Sequence, residues 1–271
     1  MKATYSKSTW ANGHSSMPNK KIRHIMKFYD RLASSEDYEW VRWAETRKRF
    51  TKNTANKFFI GVMLDQGQVA ERAWNGGNYF VDNYFNETND FWGEISNTHY
   101  ATIKRTCQKG FNGKSFAIKH SYNRFPKDLK STAIKIITDY DSDARNIWNV
   151  NSKNVSLIYE RFIEFNGIGY ALAKMAQFIL TRNYGIAGGR INQHKMAIKP
   201  DILVKRVLSR VGITSSENTN EVIKAVQDLA LNSPADFDAA AWTIGREYCF
   251  NQNPNCQSCP IHSICNFRLA P

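Results

Sequence analysis

Four of the five cysteines stand at positions 249, 256, 259 and 265, in the pattern C-x6-C-x2-C-x5-C. Thiolates so closely spaced can wrap one tetrahedral ion or one cubane cluster. Zinc ribbons usually present two separated short-spaced pairs. Here one short pair, Cys256 and Cys259, sits between longer arms, which fits a [4Fe–4S] cluster better. The N-terminus lacks the apolar run of a secretory signal, so a reducing compartment is expected and disulfides are the weaker explanation. His262 lies inside the loop, but the cysteines already complete a ligand set, and it reads as a surface residue.

A second device lies farther upstream. Residues 153–165 and 170–182 carry helical apolar periodicity, and Asn-Gly-Ile-Gly (166–169) separates them. Glycines at alternate positions let backbone approach a ligand closely, and the helix that follows points unpaired N–H groups at an oxygen anion. Gly167 and Gly169 fit such a phosphate-binding turn, although a Gly-x-Gly between helices is more often a plain packing turn. Asp201 also carries two readings. It follows Pro200 at the start of a helical pattern, where an aspartate is a good cap. The same placement keeps a carboxylate ionised to orient a nucleophile or stabilise developing positive charge.

The elements that position these residues read as helices. KIRHIMKFYDRL (21–32) and YEWVRWAETRKRF (38–50) are amphipathic with basic faces. FFIGVML (58–64) predicts a buried helix that ends or bends near Gly67. Residues 75–125 are aromatic, Asn-rich and Gly-punctuated, and helices there are hard to place. Further helical patterns fall at 129–140, 201–211, 221–230 and 237–249. No convincing strand alternation occurs, so the fold class expected is all-α.

The chain has 271 residues, 42% of them hydrophobic and 23% charged, values of a globular protein rather than a disordered or fibrous one. No stretch approaches the length of a membrane span. The formal net charge is +13, and 13 of the first 60 residues are Lys or Arg against 5 acids. Such an excess favours a polyanionic partner, which phosphates supply through a sequence-independent attraction.

Together these features resemble the endonuclease III/MutY superfamily of helix-hairpin-helix DNA glycosylases. The resemblance covers roughly residues 56–265. It is most specific in AAAWTIGREYC…NPNCQSCPIHSIC (239–265), similar to the family's tryptophan-glycine-arginine stretch and cluster loop. Phe165–Gly169 takes the place of the family's Leu-Pro-Gly-Val-Gly hairpin. Asp201 matches the catalytic aspartate, with the Arg206–Val207 pair at the right interval. VMLDQGQV (62–69) resembles the VMLQQTQV segment whose glutamines sit where the duplex is wedged open.

The resemblance implies a two-lobed all-α fold with a [4Fe–4S] loop, and a monofunctional enzyme. It would flip a damaged, mismatched or modified base from double-stranded DNA, hydrolyse its N-glycosidic bond and leave an abasic site. Asp201 would be catalytic. Gln66, Gln68, Gly167, Gly169, Tyr170, Lys174 and Arg206 would meet DNA, although Tyr170 suits core packing equally. Cys249, Cys256, Cys259 and Cys265 would hold the cluster. Bifunctional members place a lysine two residues after the hairpin, where this chain has Ala171. Lys174 is the alternative amine for lyase chemistry, and a non-catalytic DNA-binding protein on the same scaffold is the other reading.

The expected organisation is a flexible basic arm (1–19) and N-terminal helices packing with the cluster lobe (20–55). A helical barrel domain containing the hairpin follows (56–182), then an inserted basic loop (183–200). The catalytic helix and its successors (201–248) lead to the cluster loop (249–265). The sequence closes at Pro271 without the C-terminal domain by which MutY proteins read 8-oxoguanine, so adenine excision opposite that lesion is not expected. A monomer, located with DNA in cytoplasm, nucleoid or nucleus and not secreted, completes the expectation.

Overall fold

The computed structural model describes residues 19–35, 49–111, 113–116, 123–149, 154–187, 196–229, 231 and 234–269. The expected arm, most of the second basic helix and the centre of the expected inserted loop lie outside them. Among the described residues every regular element is a helix, apart from one bridge between Phe111 and Lys114. No helix among them is long and apolar enough to cross a membrane. The chain forms two compact units, one of residues 44–192 and one that joins 1–43 to 193–271.

The first unit is built round a helix that is apolar on nearly every side. With α1 assigned to Lys20–Ser34 in the other unit, this central helix is α2, Lys52–Leu64. Thr51 and Thr54 exchange side-chain and backbone hydrogen bonds at its start, a reciprocal cap that satisfies two orphan donors. It ends at Asp65, and a turn over 65–69 leads into α3, Ala70–Asn83. The two helices cross with their backbones almost touching. A Cβ on Gly77 would lie 2.8 Å from the Gly61 nitrogen, so no larger residue fits that crossing.

Helices α4 (Phe91–Asn97), α5 (Tyr100–Lys109) and α6 (Phe125–Asp139) follow, then α7 (Val155–Ile163) and α8 (Tyr170–Tyr184). Among the described residues, the region from 75 to 125, opaque in the sequence, thus holds the greater part of α3 and the two short helices α4 and α5. Trp92 of α4 donates from its indole N–H to Asn56 of α2 at 2.8 Å in the buried interior. Phe59 stacks on Phe162 and meets Trp92 and Phe165 edge-on. These rings bury a large apolar area and tie α2, α4, α7 and the turn after α7 into one core.

The second unit packs α1 and α9 (Ile202–Val211) against α11 (Pro234–Glu247), with α10 (Thr219–Gln227) and the short α12 (Asn266–Leu269) beside α9. Ile25, Val204, Leu208, Phe237, Ala240 and Ile244 are fully buried in its core. The run Ala239–Ala241 keeps α11 slender, and a Cβ on Gly245 would come 2.8 Å from that of Leu203. Lys21 donates from its ammonium to the Val211 carbonyl at 2.6 Å, placing positive charge at the C-terminus of α9 where the helix dipole favours it.

Candidate functional site

The turn between α7 and α8 is set by two buried anchors. Phe165 and Ile168 point into the core, and the Ile168 N–H donates to the Phe165 carbonyl at 3.0 Å. Between them Gly167 takes φ +85°, a left-handed conformation that strongly favours glycine. The Asp128 carboxylate occupies the space a side chain there would need, with Oδ2 only 2.6 Å from an added Cβ. Gly169 is the N-cap of α8 and makes no side-chain cap bond; nothing lies within 4 Å of where its Cβ would be. No side-chain cap closes the N-terminus of this 15-residue helix, the place where a helix takes an oxygen anion.

The α2–α3 turn joins this hairpin. Gln66 donates from its amide to the Gly167 carbonyl at 3.2 Å, so the two segments singled out in the sequence lie together. Gln68 turns inward, donating to the Leu64 carbonyl, while its Oε1 is buried without a hydrogen-bond partner among the described residues. The side chain this turn presents to solvent is Val69, 70% exposed, which sequence reading passed over. Solvent-facing valine at a loop tip carries no sequence signature, because exposure depends on where the turn points.

Tyr170, at the first turn of α8, meets Tyr159 of α7 edge-on, with ring centroids 5.6 Å apart. Lys174 is one turn further on and only 9% exposed. Its ammonium lies 4.2 Å from the centre of the Tyr159 ring and 5.8 Å from that of Tyr170. It donates to Gln177 Oε1 at 3.2 Å, and Gln177 in turn donates to the Val155 carbonyl. Burial lowers the amine from the usual 10.5 to about 8, against a weaker opposing pull from Glu160. Lys174 is thus a sheltered, readily neutralised amine rather than a solvent-facing cation. Ala171, in the first turn of α8, is exposed.

In the other unit, Asp201 caps α9. Its Oδ1 accepts from the Leu203 and Val204 N–H groups, both at 2.9 Å. Oδ2 takes no part in the cap and lies 3.4 Å from the Lys199 ammonium. The preceding backbone is held firmly. The Lys199 N–H donates to the buried carboxylate of Asp238 at 2.8 Å, and the Asp201 N–H donates to the Lys199 carbonyl at 2.8 Å. Lys199 and Asp238 were not among the sequence candidates. A signal for Lys199 existed in the tripeptide Lys-Pro-Asp. The bond from the Asp201 N–H to the Lys199 carbonyl closes a tight turn on Pro200, which brings the two flanking residues close together.

Arg206 and Arg210, one helical turn apart on α9, reach the same segment after α11. Arg206 donates from Nε to the Cys249 carbonyl at 2.7 Å and from Nη2 to the Gly245 carbonyl. Arg210 donates to the Phe250 and Asn251 carbonyls and lies 3.3 Å from Cys249 Sγ, with its guanidinium stacked over Phe267. Sequence reading offered Arg206 to DNA; its guanidinium is engaged with protein backbone at the approach to the cysteine loop. Arg210 escaped notice because its role depends on the loop folding back against α9.

Cys249, Cys256, Cys259 and Cys265 line one hollow, floored by Val207, Val211, Ile244 and Ile261. All four are free thiols. Burial raises the Cys259 thiol to about 11. Among the described residues no three potential ligands converge closely enough to hold a single ion. The four thiols line one shared hollow, and thiolates are the donors that a zinc ion or an iron–sulfur cluster takes.

No protein-family model and no curated protein matches the sequence. Solved structures do match. An endonuclease III–DNA covalent intermediate, trapped as an estranged-adenine complex, is 15% identical with TM-score 0.58, covering 92% of this chain and 97% of that one. A non-covalent endonuclease III–DNA complex is also 15% identical with TM-score 0.59, covering 92% and 96%. A thermostable thymine-DNA glycosylase is 17% identical with TM-score 0.55, covering 92% and 94%.

Proposed function

We propose that this chain, which has the all-helical fold of the helix-hairpin-helix DNA glycosylases, is itself a DNA glycosylase of the monofunctional kind. It removes a damaged, mismatched or modified base from double-stranded DNA and leaves the sugar–phosphate backbone intact. The observation that carries this reading is Asp201: a partly exposed carboxylate, locked by one oxygen to the N-terminus of α9 and carrying its other oxygen outside the cap.

The chemistry follows from the side chains. The target bond is inaccessible within a stacked duplex, so the nucleotide leaves the stack first. Phosphate contact falls to Gly167, Gly169 and the uncapped N-terminus of α8, the turn holding its shape through Phe165 and Ile168. The 65–69 turn, braced to the hairpin by Gln66, supplies the wedge that fills the vacated space, with Val69 as its exposed apolar tip. Breaking the N-glycosidic bond sends its electron pair to the base and develops positive charge on the sugar. The Asp201 carboxylate stabilises that charge and takes a proton from the water that adds to C1′.

Cys249, Cys256, Cys259 and Cys265 would hold a [4Fe–4S] cluster, whose contribution when bound is to fix the loop they share. Arg206 and Arg210 brace that loop from α9. The protein acts as a monomer on duplex DNA.

A second reading has one specific observation behind it. An amine near 8 is about one-tenth unprotonated at neutral pH, several hundred times the fraction of an ordinary lysine. Lys174 therefore has the chemistry for Schiff-base attack and strand cleavage. The separating experiment is base excision on a panel of duplexes containing uracil, thymine opposite guanine, alkylated purines, 8-oxoguanine or modified cytosines, each read with and without alkali. Strand breaks that appear only after alkali support the hydrolytic reading. Breaks without alkali, together with a borohydride-trapped adduct lost in Lys174→Ala, support the lyase.

A further inference from the structure

Among the described residues Lys199 is the cation paired with the outer oxygen of Asp201, and the reaction gives it no evident place. An ammonium 3.4 Å from Oδ2 partly neutralises the charge that the carboxylate must direct at the sugar. It would also repel the developing positive centre. The pair is not a tight one. A charge-assisted N–H···O bond closes to about 2.7–2.9 Å, shorter than this separation. The main chain on either side is not free to move: the Lys199 N–H is tied to Asp238, Pro200 follows, and Asp201 is tied to the Lys199 carbonyl and to α9. Only the four-carbon stem of Lys199 can relocate its charge.

We propose that Lys199 is a DNA-phosphate contact stored on Asp201 while the protein is free. Its ammonium transfers to a phosphate beside the extruded nucleotide when DNA binds, and that transfer uncovers the carboxylate. The inference rests on the reading of Asp201 as the catalytic carboxylate. It resolves two conflicts with one residue. An uncompensated aspartate would repel incoming phosphates, and Lys199 cancels that repulsion during approach. Once bound, a phosphate competes for the ammonium and offers it full charge–charge pairing. A lysine suits the exchange because it is a compact point charge on a flexible stem, with no planar geometry to satisfy.

The test uses the full-length protein and a duplex carrying a tetrahydrofuran abasic-site analogue, so it does not depend on knowing the base. Affinity is measured over a series of salt concentrations for wild type, Lys199→Met and Lys199→Arg. Loss of one phosphate contact lowers the slope of log affinity against log salt by about 0.9. The methionine variant is expected to show that loss with several-fold weaker binding, and the arginine variant to keep the wild-type slope. On whichever lesion the protein excises, the single-turnover rate of Lys199→Met at saturating protein should equal or exceed that of wild type. A merely structural role would lower the rate and leave the slope alone. An unchanged slope in Lys199→Met overturns the proposal, as does a fallen maximal rate at unchanged affinity. Wild-type protein that does not prefer the abasic analogue over undamaged duplex would instead withdraw the glycosylase reading, and this inference with it.

Discussion

Replacing Lys174 by methionine should make the protein more stable, and the gain should shrink as pH rises. The methionine keeps an unbranched apolar stem in the space beside Tyr159 and removes the buried charge. The folded-state amine titrates near 8 and the unfolded one near 10.5, so the folded protein binds fewer protons between those values. Stability due to this group is therefore complete above the unfolded value and is lost as pH falls through the folded one. At about pH 7 the charged lysine costs about 3 kcal/mol, from a shift of two and a half units at 1.36 kcal/mol each. At about pH 9.5 the cost is about 1.4 kcal/mol, because most of the folded-state amine is already neutral. Loss of the bond to Gln177 returns about 1 kcal/mol and loss of the ammonium–ring contact with Tyr159 about 1 kcal/mol more, leaving an expected net gain near neutral pH of about 1 kcal/mol. Urea unfolding followed by tryptophan fluorescence, to which Trp92 and Trp148 in the same core as Lys174's helix contribute, reads this. Comparing variant with wild type at each pH cancels every other titrating group. A variant less stable than wild type at neutral pH, or an advantage that stays constant into alkali, would refute the argument that burial controls this amine.

Gly167→Ala forces a left-handed backbone on a residue with a Cβ and pushes that Cβ against Asp128. It should destabilise the turn by about 1–3 kcal/mol, lowering the melting temperature and weakening binding to an abasic-analogue duplex together. Cys256→Ser should remove the visible absorption of an iron–sulfur cluster. It should also abolish the equimolar iron and acid-labile sulfide expected of wild type; stoichiometric zinc in a colourless wild-type protein would replace the cluster in this account.

The parts legible in the sequence are those whose meaning is local. The cysteine spacing, the glycines at 167 and 169, and an aspartate after proline each follow from chain geometry over a few residues. In the structure the four thiols line one hollow, Gly167 takes a left-handed turn before a helix with no side-chain cap, and Asp201 caps α9. The helices flanking them were legible too, since amphipathic periodicity dictates them. What escaped depends on distant partners. Helix α4 is only seven residues long, and its place is fixed by Asp90 capping its start and by Trp92 bonding to Asn56, far away in the chain. The engagement of Arg206 and Arg210 needs the loop after α11 folded back on α9. Lys199 sat in view, but its meaning needed the backbone pinned by Asp238.

The most direct test of the central claim is Asp201→Asn, assayed on whichever lesion the wild-type protein excises. Asparagine retains the acceptor oxygen that caps Leu203 and Val204, so the helix start is preserved and only the charge is lost. The account predicts wild-type folding and binding to the abasic-analogue duplex, with the single-turnover rate of excision down by about 100-fold or more. Excision at the wild-type rate by this variant would contradict it.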